Sequence, residues 1–414
     1  MPQARLGDAA WLNEGPVARL LALLDRDGEE ARIVGGAVRN ALLGLSVAEI
    51  DVATTALPAE VMRRVTAAGC KAVPTGIEHG TVTVIIERQP VEVTTLRQDV
   101  ETFGRKARVA FGRDWRADAE RRDFTINALS ASADGMVYDY VGGLADIAVR
   151  RVRFIGDAQK RIEEDYLRIL RFFRFHAYFG EGAPDAAGLL ACVRARAGLE
   201  RLSRERVRME VLKLLLAPHA APTLAVMTEA GLLGGVLGGV PLLASFENVA
   251  KIEAACGMAP DAVRRLGALG ALVNEDAERL AQRLRLANAE TERLIALEAW
   301  WRVTPAAGEQ TARALLYRLG PQSFADRVLV AWARSPAGTA DAAWRELASL
   351  PQRWTAPVFP LKAADFIRRG IGQGPALGAA MRAAESAWIA ADFPVERAAL
   401  DAIADEAAQA GRAH

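Results

Sequence analysis

Hydrophobic positions follow two different patterns on either side of residue 155. Up to that point, short apolar runs broken by glycine and proline predict strands that alternate with short helices. From Gly156 to the C-terminus, apolar residues recur at helical spacing instead. Strands followed by helices predict an α+β head joined to an all-helical remainder.

Several runs supply the elements of the predicted head. Residues 1–30 are predicted to form an amphipathic helix. Its apolar face consists of Leu12, Val17, Leu20, Leu21 and Leu24. Strands are predicted at ARIVGG (31–36), EIDVATTA (49–56) and GMVYDYVGG (135–143). Pro58 is placed to begin a helix after the second of them.

A predicted hairpin and a predicted loop follow. GTVTVIIE (80–87) and QPVEVTTLR (89–97) are rich in β-branched residues and are separated by a short turn, which predicts two antiparallel strands. Residues 97–119 are charged and show little periodicity. We predict a mobile loop there, and loops of this length are often functional.

Composition narrows the class of protein. Hydrophobic residues make up 51% and charged residues 25% of the 414, as in globular proteins. The apolar runs, such as 214–217, are too short to cross a bilayer, and the N-terminus lacks the apolar core of a signal peptide. Cys70, Cys192 and Cys256 are isolated, and the four histidines are scattered singly. We predict a cytoplasmic protein with no membrane association, disulfide framework, zinc site or protein partner.

The charge distribution is more informative than the net charge. A formal net charge of +1 argues against a strongly basic nucleic-acid binder. Basic residues nevertheless crowd between Arg105 and Lys213, and only 6 of the 52 are lysine. Arginine is the better bidentate phosphate ligand, so a local phosphate-binding surface is predicted, although genomic bias accounts for most of the arginine preference.

A glycine pair and a carboxylate pair form the first candidate site. Gly35 and Gly36 end a strand where a helix begins, and backbone N–H groups at such a point bind phosphate. Arg39, on the first helical turn, can add a charge-assisted contact. On the next strand, Glu49 and Asp51 share a face, and two adjacent carboxylates suit Mg²⁺. The alternative is an acidic strand edge that faces water.

Two arginine-containing segments form the second candidate site. In AERRDFTINALS (119–130), Arg122 could hold a triphosphate and Asp123 could accept a hydrogen bond from a ribose, before an apolar helical run. The helix EEDYLRILRFFRF (163–175) is apolar around most of its circumference but carries charged residues at every third position. These are Asp165, Arg168, Arg171 and Arg174. Either Asp165 and Arg168 read a base edge, or they form an internal ion pair with solvated outer arginines.

The strings GGAVRNALLG…EIDVATTA, RRDFTINAL and EDYLR resemble the class II CCA-adding tRNA nucleotidyltransferase and poly(A) polymerase family, within the polymerase-beta-like nucleotidyltransferases. The resemblance is specific over about residues 31–215. It implies a nucleotidyltransferase head with a small mixed sheet, Mg²⁺ as cofactor, and a third carboxylate on a neighbouring strand, for which Glu92 is the candidate. Two positions depart from the family pattern, because Asn40 and Glu49 both stand where the family usually has aspartate.

The resemblance also implies individual roles. Arg122 would bind the nucleotide phosphates and Asp123 the sugar, and Asp165 and Arg168 would act as an amino-acid template for CTP and ATP. The two later arginines of that helix would help to bind the nucleotide. DYVGGLADI (139–147) is similar to the family's hinge, and in LSRERVRMEVLKLL (202–215) the polar residues would brace the neck.

Together these features predict three domains and an activity. The domains are a catalytic head at 1–155, a nucleotide-recognising helical neck at 156–217, and a tRNA-binding helical body and tail at 218–414. The predicted activity is template-independent addition of CCA to the 3′ end of tRNA from CTP and ATP, with release of pyrophosphate. The alternatives are a poly(A) polymerase, an enzyme that adds only CC or only A, or a non-catalytic RNA-binding protein on the same fold.

Overall fold

The computed structural model describes residues 2–6, 9–103 and 106–412 and divides the chain into two compact units, Met1–Val236 and Leu237–His414. All of the sheet lies in the first unit, and the second unit is helical over its described residues. No helix among the described residues has both the length and the apolar composition that crossing a membrane requires. The finer division into head, neck, and body with tail stays a prediction.

One mixed sheet of eight strands forms the centre of the first unit, in the order β1–β10–β9–β2–β3–β6–β5–β4, and a separate hairpin pairs β7 with β8. The strands are β1 Pro2–Arg5, β2 Ala31–Val34, β3 Asp51–Thr54, β4 Lys71–Gly76, β5 Thr81–Ile86, β6 Gln89–Thr95, β7 Arg97–Phe103, β8 Lys106–Phe111, β9 Ser130–Ala131 and β10 Met136–Tyr138. The neighbours β3 and β6 run parallel, whereas the other adjacent strands run antiparallel.

Helices of the first unit cover the sheet and continue beyond it. They are α1 Ala10–Asn13, α2 Pro16–Leu24, α3 Gly36–Leu42, α4 Pro58–Ala67, α5 Trp115–Glu120, α6 Gly143–Ala148, α7 Ala158–Glu164, α8 Leu167–Phe179, α9 Ala186–Arg194, α10 Arg204–Leu215, α11 Ala220–Glu229 and α12 Leu233–Leu237, which ends at the division between the units.

The second unit contains the remaining helices. They are α13 Leu243–Ala255, α14 Ala262–Gly270, α15 Asn274–Leu284, α16 Asn288–Ile295, α17 Gly308–Ala333, α18 Ala342–Arg353, α19 Ala363–Ile367, α20 Pro375–Ala390 and α21 Arg397–Arg412. Helix α17 is kinked at Gly320, where φ is +72°, because the following Pro321 cannot donate the helical hydrogen bond. One core of this unit packs Phe366, Trp388 and Phe393 together.

Several sequence predictions are confirmed. The strands β2, β3 and β10 lie within the predicted runs, Pro58 occupies the start of α4, and Ile86 pairs with Gln89 across the short turn of the β5–β6 hairpin. The mixed α+β class is confirmed as well. Burial of alternate residues on β5 and β6 places one face of the hairpin in the core.

The prediction of one helix over residues 1–30 is wrong in its extent. Residues 2–5 form β1, which pairs with β10, and Gly15, at φ +80°, precedes α2. The apolar face is confirmed, since all five of its predicted residues are buried. Pairing with a strand more than 130 residues away is decided by the tertiary fold, and local periodicity carries no signal of it.

The prediction of a loop over residues 97–119 is also wrong for the part of that range that the structure describes; residues 104 and 105 lie outside it. The backbone forms the β7–β8 hairpin, with Arg97 opposite Phe111, followed by α5. Two strands of a hairpin pair through backbone hydrogen bonds, which need no alternation of apolar and polar residues, so periodicity along the sequence carried no signal of this hairpin.

An aromatic cluster fixes α8 against the head. Phe124 and Phe154 lie with ring centroids 4.9 Å apart, and each reaches a phenylalanine of α8, Phe175 at 5.2 Å and Phe172 at 5.4 Å. Such aromatic contacts add to the free energy gained from burial. The helix that carries the candidate base-reading arginine is therefore held rigidly beside Asp123, the residue before Phe124.

Candidate active site

The turn after β2 brings the first two candidate motifs together. Gly35 has φ +70°, and a Cβ built on it would lie 3.4 Å from Nη1 of Arg122. Glycine is therefore suited to this position for two reasons, the left-handed backbone and the close approach of a guanidinium. Periodicity and local motifs carry no signal that Gly35 and Arg122 are neighbours, because the two residues lie far apart along the chain.

Arg122 is held from two sides. Its Nε and Nη2 donate to Oδ2 of Asp118 at 3.3 and 3.1 Å, and its Nη1 donates to the carbonyl oxygen of Asn127 at 3.3 Å. Arg121 donates to the other carboxylate oxygen of Asp118. Burial alone raises the pKa of Asp118, but the charges of Arg122 and Arg121 outweigh it and lower that pKa. Three of the five N–H donors of a guanidinium are thus engaged at Arg122.

Contrary to the prediction from the sequence, Arg121 and Arg122 do not stand at the start of a helix. Helix α5 ends at Glu120, directly before Arg121, and the predicted apolar helix after Asp123 is a single 3-10 turn, Thr125–Asn127, that leads into β9. Residues 124–131 are all buried. The spacing of their apolar side chains therefore resembles that of a buried helix, although the chain continues into a strand.

Asn127 connects the glycine turn with the candidate sugar-binding residue. Its Oδ1 accepts from Nη1 of Arg39, and its Nδ2 donates to Oδ1 of Asp123 at 3.3 Å. Arg39 is buried and stacks over Phe179 at 3.9 Å. Burial, together with the charge of Arg174, lowers the pKa of Arg39 to about 10. The predicted direct phosphate contact of Arg39 stays a prediction, and in this structure its guanidinium binds side chains of the protein.

The candidate carboxylates meet at the junction of β3 and β6. Asp51 and Glu92 are register partners on these parallel strands, so their side chains are neighbours on one face. Glu49 precedes the strand, which begins at Asp51, so the prediction that both lie within one strand is wrong. Exposure still alternates, since Glu49 and Asp51 are exposed and Ile50 between them is buried.

The charges of the neighbouring side chains shift the pKa of Asp51. Partial burial first, then the negative charges of Glu92 and Glu49, raise the pKa of Asp51, and the positive charge of Arg122 opposes them. Among the described residues, no three His, Cys, Asp or Glu side chains converge tightly enough to enclose a metal ion. The structure thus brings Asp51 and Glu92 together as strand neighbours and leaves Glu49 as a more distant member of the group.

Asp165 and Arg168 are placed differently from the prediction. Asp165 lies in extended backbone between α7 and α8, so it does not share a helix with Arg168. Oxygens of Asp165 accept from the Leu167 amide at 3.1 Å and from Nη1 of Arg206 at 3.2 Å. Arg168 donates to the Arg161 carbonyl oxygen at 2.8 Å and pairs with Glu164. The alternative of an internal Asp165–Arg168 ion pair is therefore wrong.

The later arginines of α8 complete a network that begins in the head. Arg171 donates from Nε to Oδ2 of Asp123 at 2.7 Å, and Arg174 pairs with Glu210 of α10. Burial by itself would raise the pKa of Asp123, but the charge and hydrogen bonds of Arg171, with those of Asn127 and the Phe124 amide, lower it. The network therefore holds Asp123 ionised and ties α8 and α10 to the head.

Comparison with known proteins agrees with this geometry. Residues 31–153 match the family described as "Poly A polymerase head domain", and residues 189–246 match "Probable RNA and SrmB- binding site of polymerase A". The CCA tRNA nucleotidyltransferase 1, mitochondrial, of Mus musculus is 33% identical over 389 residues, 91% of this chain and 87% of that protein. The chain belongs to the CCA tRNA nucleotidyltransferase family. The CCA-adding enzyme of Limosilactobacillus fermentum is 32% identical over 379 residues, 88% of this chain and 90% of that one.

Solved structures show the same fold along the chain. The CCA-adding enzyme of Bacillus stearothermophilus in complex with CTP superimposes with a TM-score of 0.75 at 26% identity, over 98% of this chain and 99% of that one. The Thermotoga maritima CCA-adding enzyme complexed with tRNA gives a TM-score of 0.67 at 18% identity, over 97% of this chain and 99% of that one, and supports the fold alone.

The sequence analysis did not identify several residues that hold the candidate site residues in position through hydrogen bonds and ion pairs. Asp118 carried a usable signal, because a carboxylate three and four positions before two arginines on a helix can bind both. Asn127 and Glu164 lay inside quoted motifs without an assigned role. The contacts of Arg206 with Asp165 and of Glu210 with α8 join helices distant in the chain, although the predicted bracing role of α10 anticipated them.

Proposed function

We propose that the chain adds CCA to the 3′ end of tRNA, taking CTP and then ATP and releasing pyrophosphate at each step. The single observation that carries the proposal is the continuous network from the Gly35 turn through Arg122, Asn127 and Asp123 to α8. This network connects the candidate triphosphate-binding residues with α8, the helix that carries the candidate base-recognition residue Arg168, within one compact unit. Membership of the family supplies the reaction.

In this proposal the RNA 3′-hydroxyl attacks the α-phosphate, and the bond to the pyrophosphate leaving group breaks. Arg122 has donors beyond the three already engaged, and these would bind the phosphates. The Asp118 carboxylate fixes the plane of that guanidinium before substrate arrives. Such preorganised positive charge stabilises the negative charge that develops in the transition state.

The carboxylates fit a divalent cation of the Mg²⁺ type. Partial burial, then the charges of Glu92 and Glu49, raise the pKa of Asp51, so a cation beside this carboxylate would stabilise its ionised form. Mg²⁺ prefers oxygen ligands of this kind. Glu49 and Asp51 would hold the cation, with Glu92 as a third carboxylate. When bound, it would supply charge neutralisation for the attacking and leaving oxygens.

Base and sugar recognition are assigned to the junction of the head and the first neck helices. Asp165 would accept from an exocyclic amino group and Arg168 would donate to a ring nitrogen or carbonyl. Both are partly exposed, with 30% and 18% of their side chains accessible. A base would replace Glu164 as the partner of Arg168, while Arg206 keeps Asp165 in position. Asp123 would accept from the ribose, held by Arg171, and Arg174 would add positive charge.

The deciding experiment incubates the purified protein with tRNA that lacks its CCA end. CTP and ATP are supplied separately and together, with MgCl₂, and products are read at single-nucleotide resolution. We expect two cytidines with CTP alone and complete CCA with both. Long adenosine tails would favour a poly(A) polymerase, a product ending at CC or starting only from CC would favour a partial enzyme, and no extension would favour an RNA-binding protein.

Two further assignments belong to the proposal. We assign the division into head (1–155), neck (156–217), and body with tail (218–414) to catalysis, nucleotide recognition and tRNA binding. We assign the protein to the cytoplasm, because Cys70, Cys192 and Cys256 are free thiols, as expected in a reducing compartment. Cell fractionation with an antibody against the full chain tests the compartment.

A further inference from the structure

A cavity in the second unit is lined by three arginine side chains that form no ion pair with a carboxylate in the described part of the chain. It has a volume of about 290 Å³ and lies between the 3-10 turn Trp300–Arg302 and α17. Arg302, Arg318 and Arg327 contribute to its wall. Among the described residues, no Asp or Glu oxygen lies within 4.0 Å of the nitrogens of these three guanidiniums.

Arginines elsewhere in the same unit are mostly bound by carboxylates. Those with an acidic partner are Arg264, Arg265, Arg279, Arg293, Arg313, Arg353, Arg368, Arg369 and Arg397. Most arginines of the unit outside this cavity thus form an ion pair with a carboxylate, whereas the three arginines of the cavity wall do not. Positive charge that the protein itself leaves uncompensated is available to an anionic ligand.

The kink of α17 produces the convergence. Arg318 precedes the break at Gly320 and Arg327 follows it, and both side chains reach the same cavity. Arg327 is half-buried and donates from Nε to the Ala296 carbonyl oxygen. Burial lowers the pKa of Arg327, with Glu298 opposing in part, so an added anion would stabilise this guanidinium.

Apolar side chains in the cavity wall and an exposed tryptophan near it favour an organic phosphate, such as an RNA backbone, over an inorganic anion as the ligand. Val303, Leu315 and Leu347 supply an apolar surface beside the arginines. Trp301, adjacent to Arg302 in the chain, leaves 54% of its side chain exposed. Exposed aromatic rings combined with arginines are typical of surfaces that bind nucleic acid, where bases stack and phosphates pair.

We propose that this arginine cavity is a docking site for backbone phosphates of the RNA substrate, with Trp301 as a stacking contact beside it. The inference rests on the proposed function and deepens it, because it names which part of the helical body holds the RNA. Arg302 and Arg318 are the primary phosphate ligands, since both are exposed and neither has an acidic partner within 4.0 Å among the described residues. Arg327 supplies positive potential from the wall.

The test measures binding of the full-length protein to fluorescently labelled tRNA without its CCA end, by anisotropy over a range of salt concentrations and without nucleotides. The variant is Arg302→Ala combined with Arg318→Ala. We expect affinity to fall about 5- to 30-fold at fixed salt, and the slope of log K against log salt to fall by about 1.4–1.8 for two lost phosphate contacts. Arg63→Ala is the control, because Arg63 is exposed on α4 of the first unit, pairs with Glu60, and lies outside both the cavity and the residues assigned to tRNA binding. Its affinity and slope are expected to equal those of the parent.

Two further readouts separate this site from the catalytic one. The double variant is expected to raise KM for tRNA while kcat at saturating tRNA and KM for CTP stay at the parent values. Trp301→Ala is expected to weaken binding without changing the salt slope, because stacking releases no counterions. Parent-like affinity and slope in the double variant would overturn the docking site. If the parent itself adds no nucleotide, the proposed function fails, and the binding measurements still decide on the cavity.

Discussion

Replacing Arg168 by alanine gives a sharp test of base selection, because the structure separates its two possible roles. The side chain pairs with Glu164 and donates to the Arg161 carbonyl oxygen. If those contacts are its only purpose, the substitution changes stability alone. If Arg168 also reads the incoming base, the substitution changes which triphosphate is used.

The structure sets both magnitudes. Arg168 and Glu164 are 18% and 30% exposed, so solvent screens the pair in part. Its loss, with that of the carbonyl contact, should cost about 1–2 kcal/mol. For a unit of this size, Met1–Val236, that corresponds to about 2–8 °C in Tm, since each kcal/mol shifts Tm by about 2–4 °C. Loss of one base contact should reduce discrimination by about 1–3 kcal/mol, or roughly 5- to 150-fold in relative kcat/KM.

Glu164→Gln is the matched control. It breaks the same ion pair, together with the pair between Glu164 and Arg161, but leaves Arg168 in place. It should therefore lower Tm by at least a similar amount and keep the preference for CTP and ATP over UTP and GTP. The assay is kcat/KM for each of the four triphosphates on tRNA ending before CCA, together with a melting curve. If Arg168→Ala melts early but selects as the parent does, the base-reading role is refuted.

Three other predictions concern the head. Asp51→Ala should abolish nucleotide incorporation while the Kd for tRNA stays near the parent value, and near-normal turnover would exclude a catalytic role for this carboxylate. Burial and the charges of Glu92 and Glu49 raise the pKa of Asp51, so protons should compete with the cation for this carboxylate. The acidic limb of the pH–kcat/KM profile should therefore move to lower pH as the MgCl₂ concentration is increased. An acidic limb whose position does not depend on MgCl₂ would contradict this. Asp123→Asn should cost about 1–3 kcal/mol, since the carboxylate is 11% and its partner Arg171 32% exposed, and should reduce the preference for CTP over dCTP. The stability difference, measured by urea unfolding, should narrow as pH falls through the lowered pKa of Asp123, because protonation removes its charge in the parent as well; an unchanged CTP-to-dCTP ratio would leave Asp123 a purely structural role.

Local chemistry was sufficient to predict the strands that position the carboxylates. A strand that ends at Gly35, a second strand at Asp51 and a β-branched hairpin each have signals confined to a few neighbouring residues. The choice of Glu92 as a third carboxylate followed from alternation and resemblance. Its register partnership with Asp51 confirms that the two are neighbours, while its catalytic role stays a prediction.

The sequence was misleading where one pattern fits two structures. The run 163–175 is apolar around its circumference, which predicted one continuous helix. The chain instead breaks at Asp165, between α7 and α8. An aspartate that precedes a helix and accepts one of its first amides has the same local sequence as an aspartate inside a helix. The extended backbone of Asp165 and its contact with Arg206 distinguish the two cases.

By itself, the sequence determined the class of fold, the glycine turn, the identity of the candidate motifs and the apolar faces that are buried, because each depends on interactions within about one helical turn or one strand. The tertiary structure alone decided which charged groups pair. It placed Arg122 against Gly35, Arg171 against Asp123 and Arg168 against Glu164. A guanidinium can bind any carboxylate within reach, so partner choice depends on which backbones the hydrophobic core brings together, and that long-range packing leaves no periodic signal along the chain.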